Sequence, residues 1–196
     1  MPPRDVSADR ARASTQSDAD RFFTCSDTWQ IESAAGRVLT NRPRQPETLH
    51  AIERFGEALL APLEREFGRA LLTYGFADPE LVKAVRARAA ADGRFPRVHP
   101  PGDQHAGHEV GPRGARICKR DGFAVDLIFP GVSSERVVEW VKANLPFDRI
   151  YVYDADRPFH LSWAPEPVGQ VVRMERQASG REVPRVVIRE TTFCAK

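Results

Sequence analysis

The sequence predicts an α+β protein, and three observations carry that prediction. Helical periodicity is confined to the first half of the chain and to one later segment. Short apolar runs bounded by turn residues dominate the second half. No repeat of a strand–helix unit links them. Helices first, then a largely antiparallel sheet with one helix inserted, is the pattern of helices packed on one side of a sheet.

The elements follow in order. Residues 1–20 are polar, lack large apolar side chains, and read as a disordered tail. The folded part begins at Arg21-Phe22-Phe23-Thr24-Cys25, and Pro43 and Pro46 mark a loop. Leu49, Ile52, Phe55, Leu59, Leu60, Leu63 and Phe67 recur at spacings of three and four, which places them on one helix face. Pro62 should kink this helix and Gly68 end it. Leu71-Leu72-Thr73-Tyr74 reads as a short buried strand. Asp78 caps a second helix from Pro79 to about Ala91, with proline at the first position where no N–H is needed. Asp92-Gly93 closes that helix, and a Pro-rich irregular stretch follows from Phe95 to Gly102.

His108-Glu109-Val110 and Ala115-Arg116-Ile117-Cys118 flank a Gly111-Pro112-Arg113-Gly114 turn, as two short strands of a hairpin would. Residues 122–129 form an apolar strand interrupted by Asp126. Ser133 or Ser134 caps the next helix, whose Val137, Val138, Trp140 and Val141 point inward until Asn144-Leu145-Pro146 stops it. Residues 149–153 form a strand, and residues 183–188 add an edge strand within a C-terminal extension, 165–196. The main domain is expected to span 21–164.

Composition narrows the function. A chain of 196 residues, 41% hydrophobic and 29% charged, is long enough to bury a real core. Its net charge of +2 is spread evenly, so no nucleic-acid footprint is expected. The sequence shows no signal-peptide block and no apolar run that could span a bilayer, so the expected setting is cytoplasmic with no membrane partner. Three cysteines far apart, Cys25, Cys118 and Cys194, suit reduced thiols better than a disulfide framework.

Two residues resist a core explanation: Asp126 in its apolar strand, and His160 in the apolar segment Pro158-Phe159-His160-Leu161-Ser162-Trp163. Alternation could put Asp126 in solvent, and a lone histidine is commonly a hydrogen-bonded core residue. A carboxylate and an imidazole at neighbouring strand ends are also two of the three protein ligands of an open zinc site. His105, in the loop Gly102-Asp103-Gln104-His105, offers the third.

These segments resemble the zinc D-Ala-D-Ala carboxypeptidase family, the metallopeptidase group that includes the hedgehog signalling domain. The resemblance rests on Asp103-Gln104-His105, Gly122-Phe123-Ala124-Val125-Asp126 and His160-Leu161-Ser162, with His160 lying 34 positions after Asp126. It extends over residues 21–163. It implies a hedgehog/D-Ala-D-Ala-peptidase-like fold, Zn²⁺ held by His105, Asp126 and His160, and hydrolysis of an amide in a short peptide or other small molecule.

The chain departs from the family pattern in three places. Lys119 occupies the position of the first histidine, seven before Asp126, so an inserted hairpin, 109–118, is inferred and His105 is the expected ligand, with His108 as its rival. Ala77 replaces an arginine that holds the substrate carboxylate, so Arg157, together with His108, is the expected substrate-binding group. Arg157 in turn stands where many members carry the glutamate base. The resemblance then implies Asp154, six before His160, as the catalytic base, with Asp156 as the neighbouring alternative. Tyr151 and Tyr153 are candidates to line the pocket. The competing expectation is a member without peptidase action, either a biosynthetic enzyme on a small amino-acid derivative or an inactive metal-containing binding module.

Overall fold

A long apolar face on a helix of 22 residues needs a surface of matching length, and a sheet supplies it. The computed structural model describes residues 18–23, 39–91, 104–177 and 182–189. The expected disordered tail falls largely outside these residues, as do Cys25, Cys194, the Asp92-Gly93 stop, the Pro-rich stretch and Asp103. A short 3₁₀ turn, Asp18–Phe22, shows that ordered chain begins ahead of Arg21.

The long helix runs as α1 (Pro46–Phe55), a π-helical turn (Gly56–Leu60) and α2 (Ala61–Phe67). The kink expected from Pro62 takes the form of this π turn. Proline lacks an N–H and crowds the carbonyl four residues back, and the wider turn relieves both problems. The Ala61 N–H accordingly donates to Gly56 O, five residues behind it. Gly68, at φ +83, ends the helix as expected. One detail of the helix face differs. Leu49 is 47% exposed, whereas Thr48 is fully buried, because a loop from much later in the chain covers that part of the first turn.

The remaining elements are β1 (Leu71–Tyr74), α3 (Pro79–Ala91), β2 (Phe123–Ile128), α4 (Ser134–Asn144), β3 (Arg149–Val152), β4 (Phe159–Trp163), β5 (Gln170–Arg176) and β6 (Glu182–Arg189). Asp78 caps α3 through its Oδ1, which accepts the Leu81 N–H at 2.7 Å. Ser133 caps α4 by accepting the Arg136 N–H, while the Ser134 hydroxyl donates to Arg157 O. The expected hairpin around residues 111–114 reduces to a single bridge between Val110 and Arg116.

The six strands form one sheet in the order β1-β2-β4-β3-β5-β6, antiparallel throughout except for the parallel pair β3/β5. The fold is therefore mixed α+β with a mostly antiparallel sheet. The expected edge strand is present as β6. Its partner β5 was not expected, and the segment read as a C-terminal extension completes the same sheet.

One sheet face is the core. Phe123, Val125 and Leu127 of β2, Phe159 and Leu161 of β4 and Ile150 of β3 are fully buried and cluster with Phe55, Leu59 and Leu63 of the long helix and Val137 and Val141 of α4. Phe22, Phe55 and Phe123 meet edge-on, with centroids 5.8–6.1 Å apart. The opposite face carries the polar residues. Gly122, just before β2, has φ +97, and a Cβ there would lie 1.8 Å from Trp163 O, so only glycine permits this approach to the end of β4.

Candidate metal centre

Directly opposed residues in antiparallel strands share a face, so the pairing puts a row of side chains across the sheet. Tyr74 pairs with Asp126, Asp126 with His160, and His160 with Tyr151. The row runs across β1, β2, β4 and β3 on the face away from the helices. This topology brings Asp126 and His160, far apart in sequence, into direct contact. The His160 Nδ1 lies 2.9 Å from Asp126 Oδ1.

The third group arrives from above the sheet. Gln104–Ala106 form a 3₁₀ turn, fully buried, docked where the Ala77 N–H donates to His105 O at 3.1 Å. His105 Nδ1 lies 2.9 Å from Gly75 O. A carbonyl only accepts, so Nδ1 carries the proton and Nε2 is left facing the cluster. That Nε2 is 3.2 Å from both Asp126 Oδ1 and His160 Nδ1. Three ligand atoms thus form a triangle with edges of 2.9–3.2 Å. Ligands at tetrahedral angles with bonds of about 2.0–2.2 Å to a metal would sit about 3.3–3.6 Å apart, so the triangle fits such an ion after small adjustments. Among the described residues, His105, Asp126 and His160 form a group that could hold a metal ion.

The electrostatics agree with a cation in the triangle. With one proton on Nδ1, His105 meets the Asp126 carboxylate through Nε2, and that contact requires either a second proton, which makes the ring a cation, or a metal between the two groups. Burial by itself would raise the Asp126 carboxyl. The charge and hydrogen bond of His105, followed by those of His160, outweigh it and hold Asp126 far below the usual carboxylate range. Asp126 is therefore ionised and ready to ligate at any physiological pH.

Aromatic rings fix both imidazoles. Tyr74 meets His105 edge-on at 4.6 Å, and Tyr151 meets His160 at 5.0 Å. Arg120 reaches the same corner, its Nη1 lying 3.4 Å from the Tyr151 hydroxyl. Tyr151 was anticipated as a pocket residue. Tyr74 and Arg120 were not, because only the strand pairing and the loop path bring them here.

The other expected site residues contribute none of the three ligand atoms of the triangle. His108 is outside the triangle. Its Nε2 accepts the Gly122 N–H at 3.3 Å, and its Nδ1 is 4.0 Å from Asp121. Between the two rival histidines, the fold thus brings His105 to Asp126 and His160. Asp154 is exposed on the turn after β3, and its Oδ1 accepts the Ala155 N–H at 2.7 Å. Asp156 lines a cavity of about 370 Å³ together with Leu71, Ile128 and Ser133. Ile128 stands two residues beyond Asp126 on the same face of β2. The Arg157 guanidinium lies 5.0 Å from the centre of the Tyr153 ring.

Ser162, the last residue of the His-x-Ser segment, is fully buried. Its hydroxyl accepts the Arg149 N–H at 3.0 Å beside the buried Asp148. Asp148 accepts from Gln104 Nε2 at 3.0 Å, which ties the residue before His105 to the start of β3. No described helix is long and apolar enough to cross a membrane. Fold and site together define an α+β protein with a His/Asp/His cluster able to hold a metal. No protein-family model, curated protein or solved structure matches the chain.

Proposed function

We propose that the protein is a zinc-dependent amide hydrolase of the D-Ala-D-Ala carboxypeptidase kind, with a hedgehog/D-Ala-D-Ala-peptidase-like fold, acting on a short peptide or small amino-acid derivative. One observation carries this reading: Nε2 of His105, Oδ1 of Asp126 and Nδ1 of His160 lie within 2.9–3.2 Å of one another, with the outer nitrogen of His105 bonded to Gly75 O. A ligating histidine usually donates its other N–H to a carbonyl or carboxylate, which fixes its tautomer and orientation, and two histidines with one carboxylate are a recurrent hydrolytic ligand set.

Zn²⁺ at such a site supplies Lewis-acid chemistry, acidifying water and polarising a carbonyl. The chain's own residues supply the rest. Asp154, on the turn that follows β3, would accept a proton from the attacking water and return it to the leaving amine. Arg157 offers a guanidinium fork for a substrate carboxylate, and Tyr151 walls the site beside His160.

Elemental analysis tests the metal. About one zinc per chain is expected in the wild type, lost in both Asp126→Ala and His160→Ala, while His108→Ala keeps it. Full zinc retention in His160→Ala sinks the site. Turnover is tested on dipeptides and N-acyl amino acids by amine release. Asp154→Asn should lower it roughly a hundredfold with zinc retained, and Asp156→Asn far less.

A second reading has its own support. The Asp154 carboxylate is engaged by its own turn, and Lys119, Ala77 and Arg157 stand at three positions where the family carries functional groups. Bound zinc with no turnover on any amide would favour a metal-containing binding module or a biosynthetic enzyme.

A further inference from the structure

We infer that Glu109 is a positioning residue for His105, fastening the ligand-bearing segment 105–109 to the start of α1. The inference rests on the metal reading of the His105, Asp126 and His160 triangle.

Glu109 is 2% exposed, and a buried carboxylate is costly unless it is fully bonded. Its Oε1 accepts the Arg44 N–H at 3.0 Å, the Gln45 N–H at 3.1 Å and the Thr48 hydroxyl at 3.0 Å. Gln45 is the N-cap of α1 and makes no side-chain capping bond. Glu109, more than sixty residues away, brings its negative charge to that helix end instead.

The same contact reaches back toward the metal ligand. The Thr48 hydroxyl, having donated to Glu109, accepts the His108 N–H at 3.1 Å. Gly107, at φ +54, presses so closely that a Cβ would lie 2.7 Å from Thr48 Cγ2. Three successive residues, Gly107, His108 and Glu109, therefore dock on one threonine. Within the segment, the Glu109 N–H donates to Ala106 O at 3.1 Å and the Gly107 N–H to Gln104 O at 2.9 Å. The second of these turns contains His105 and the first follows it directly. An ordinary serine or aspartate N-cap would satisfy the helix without joining it to the site. A carboxylate from the His105 segment does both, and it fixes the height of the imidazole above Asp126. Groups bonded behind a metal ligand hold it in place before the metal arrives.

The test uses the full chain, Zn²⁺ as the probe and a competing chelator to read affinity. Glu109→Ala is expected to weaken zinc binding at least about tenfold. Adding it to His105→Ala should weaken binding no further, because Glu109 acts on the site only through His105. Glu109→Gln keeps an oxygen where Oε1 stands and should restore most of the affinity. A lowered melting temperature with unchanged zinc affinity would assign Glu109 a role in folding alone, and independent multiplying effects of the two substitutions would show that it does not act through His105; either result would overturn the proposal.

A second readout needs no metal. The His105 Nδ1–H bonded to Gly75 O should give a protected imidazole proton resonance in the metal-free wild type, lost to exchange in Glu109→Ala. If the wild type binds no zinc, the metal reading falls. The imidazole proton then decides the positioning role, and its persistence in Glu109→Ala overturns that role. Should Glu109→Ala fail to fold, Thr48→Val removes both hydroxyl bonds at nearly constant volume and is held to the same outcomes.

Discussion

The two faces of strand β2 are built from alternate residues of one six-residue segment, yet they follow different rules. Phe123, Val125 and Leu127 point to the helices and are fully buried in the apolar cluster. Asp126, between two of them, points the other way into a triangle of polar atoms. On the helix side any well-packed apolar set of the right volume suffices, and the energy comes from area removed from water. On the other side each group is held by a partner of specific chemistry, and losing one partner strands the rest. The core face therefore stabilises the protein broadly, whereas the polar face fixes a geometry.

Three substitutions probe this contrast. The largest effect belongs to the core. Phe55→Ala removes a ring that is 0% exposed and edge-on to both Phe22 and Phe123, and it should cost about 3–5 kcal/mol in urea unfolding. The zinc stoichiometry of the molecules that remain folded should not change. Loss of zinc together with stability would show that the two faces are not independent.

Asp148→Ala comes next. Asp148 is 1% exposed and accepts from Gln104, from Arg149 at 2.5 Å and from the Val168 N–H at 3.1 Å. Removing it leaves several donors unpaired and should cost about 2–3 kcal/mol. Because Gln104 adjoins His105, zinc affinity should fall as well, the reverse of the Phe55 result. An unchanged affinity would confine the site to its three ligands.

The smallest effect is a pH slope. Burial and then Arg116 lower the His108 pKa, against the opposing pull of Asp121 and Glu47. The unfolded chain then binds a proton more readily than the folded one. Stability from this group is present above its unfolded value of about 6.5 and is lost as pH falls below it. Measured with a chelator present between pH 7.5 and 5, the wild type should lose more stability than His108→Gln. Parallel curves would remove His108 from the acid response. Asp126 adds nothing to the slope in this window, since its carboxyl titrates well below it.

Much of this was legible in the chain. The strand Leu71–Tyr74, the helix Pro79–Ala91 with its Asp78 cap and the helix after Ser133 stand where periodicity and capping residues put them. Asp126 and His160 stood out because a polar group in an apolar strand requires a partner, and each proves to be the other's. Less legible were Leu49, which the helical pattern put inside, and β5, whose sequence mixes apolar residues with two arginines and a glutamate.

The sequence by itself determined the helices, most of the strands and which face of β2 is apolar, because those properties depend on neighbours two to four residues away. Tertiary structure alone decided that His105 and not His108 meets Asp126. It also decided that Glu109 serves a helix end more than sixty residues earlier, and that the tail pairs parallel with β3. Each of these depends on where a loop crosses the sheet. That path is fixed by hydrogen bonds between residues distant in the chain, for which local periodicity carries no signal.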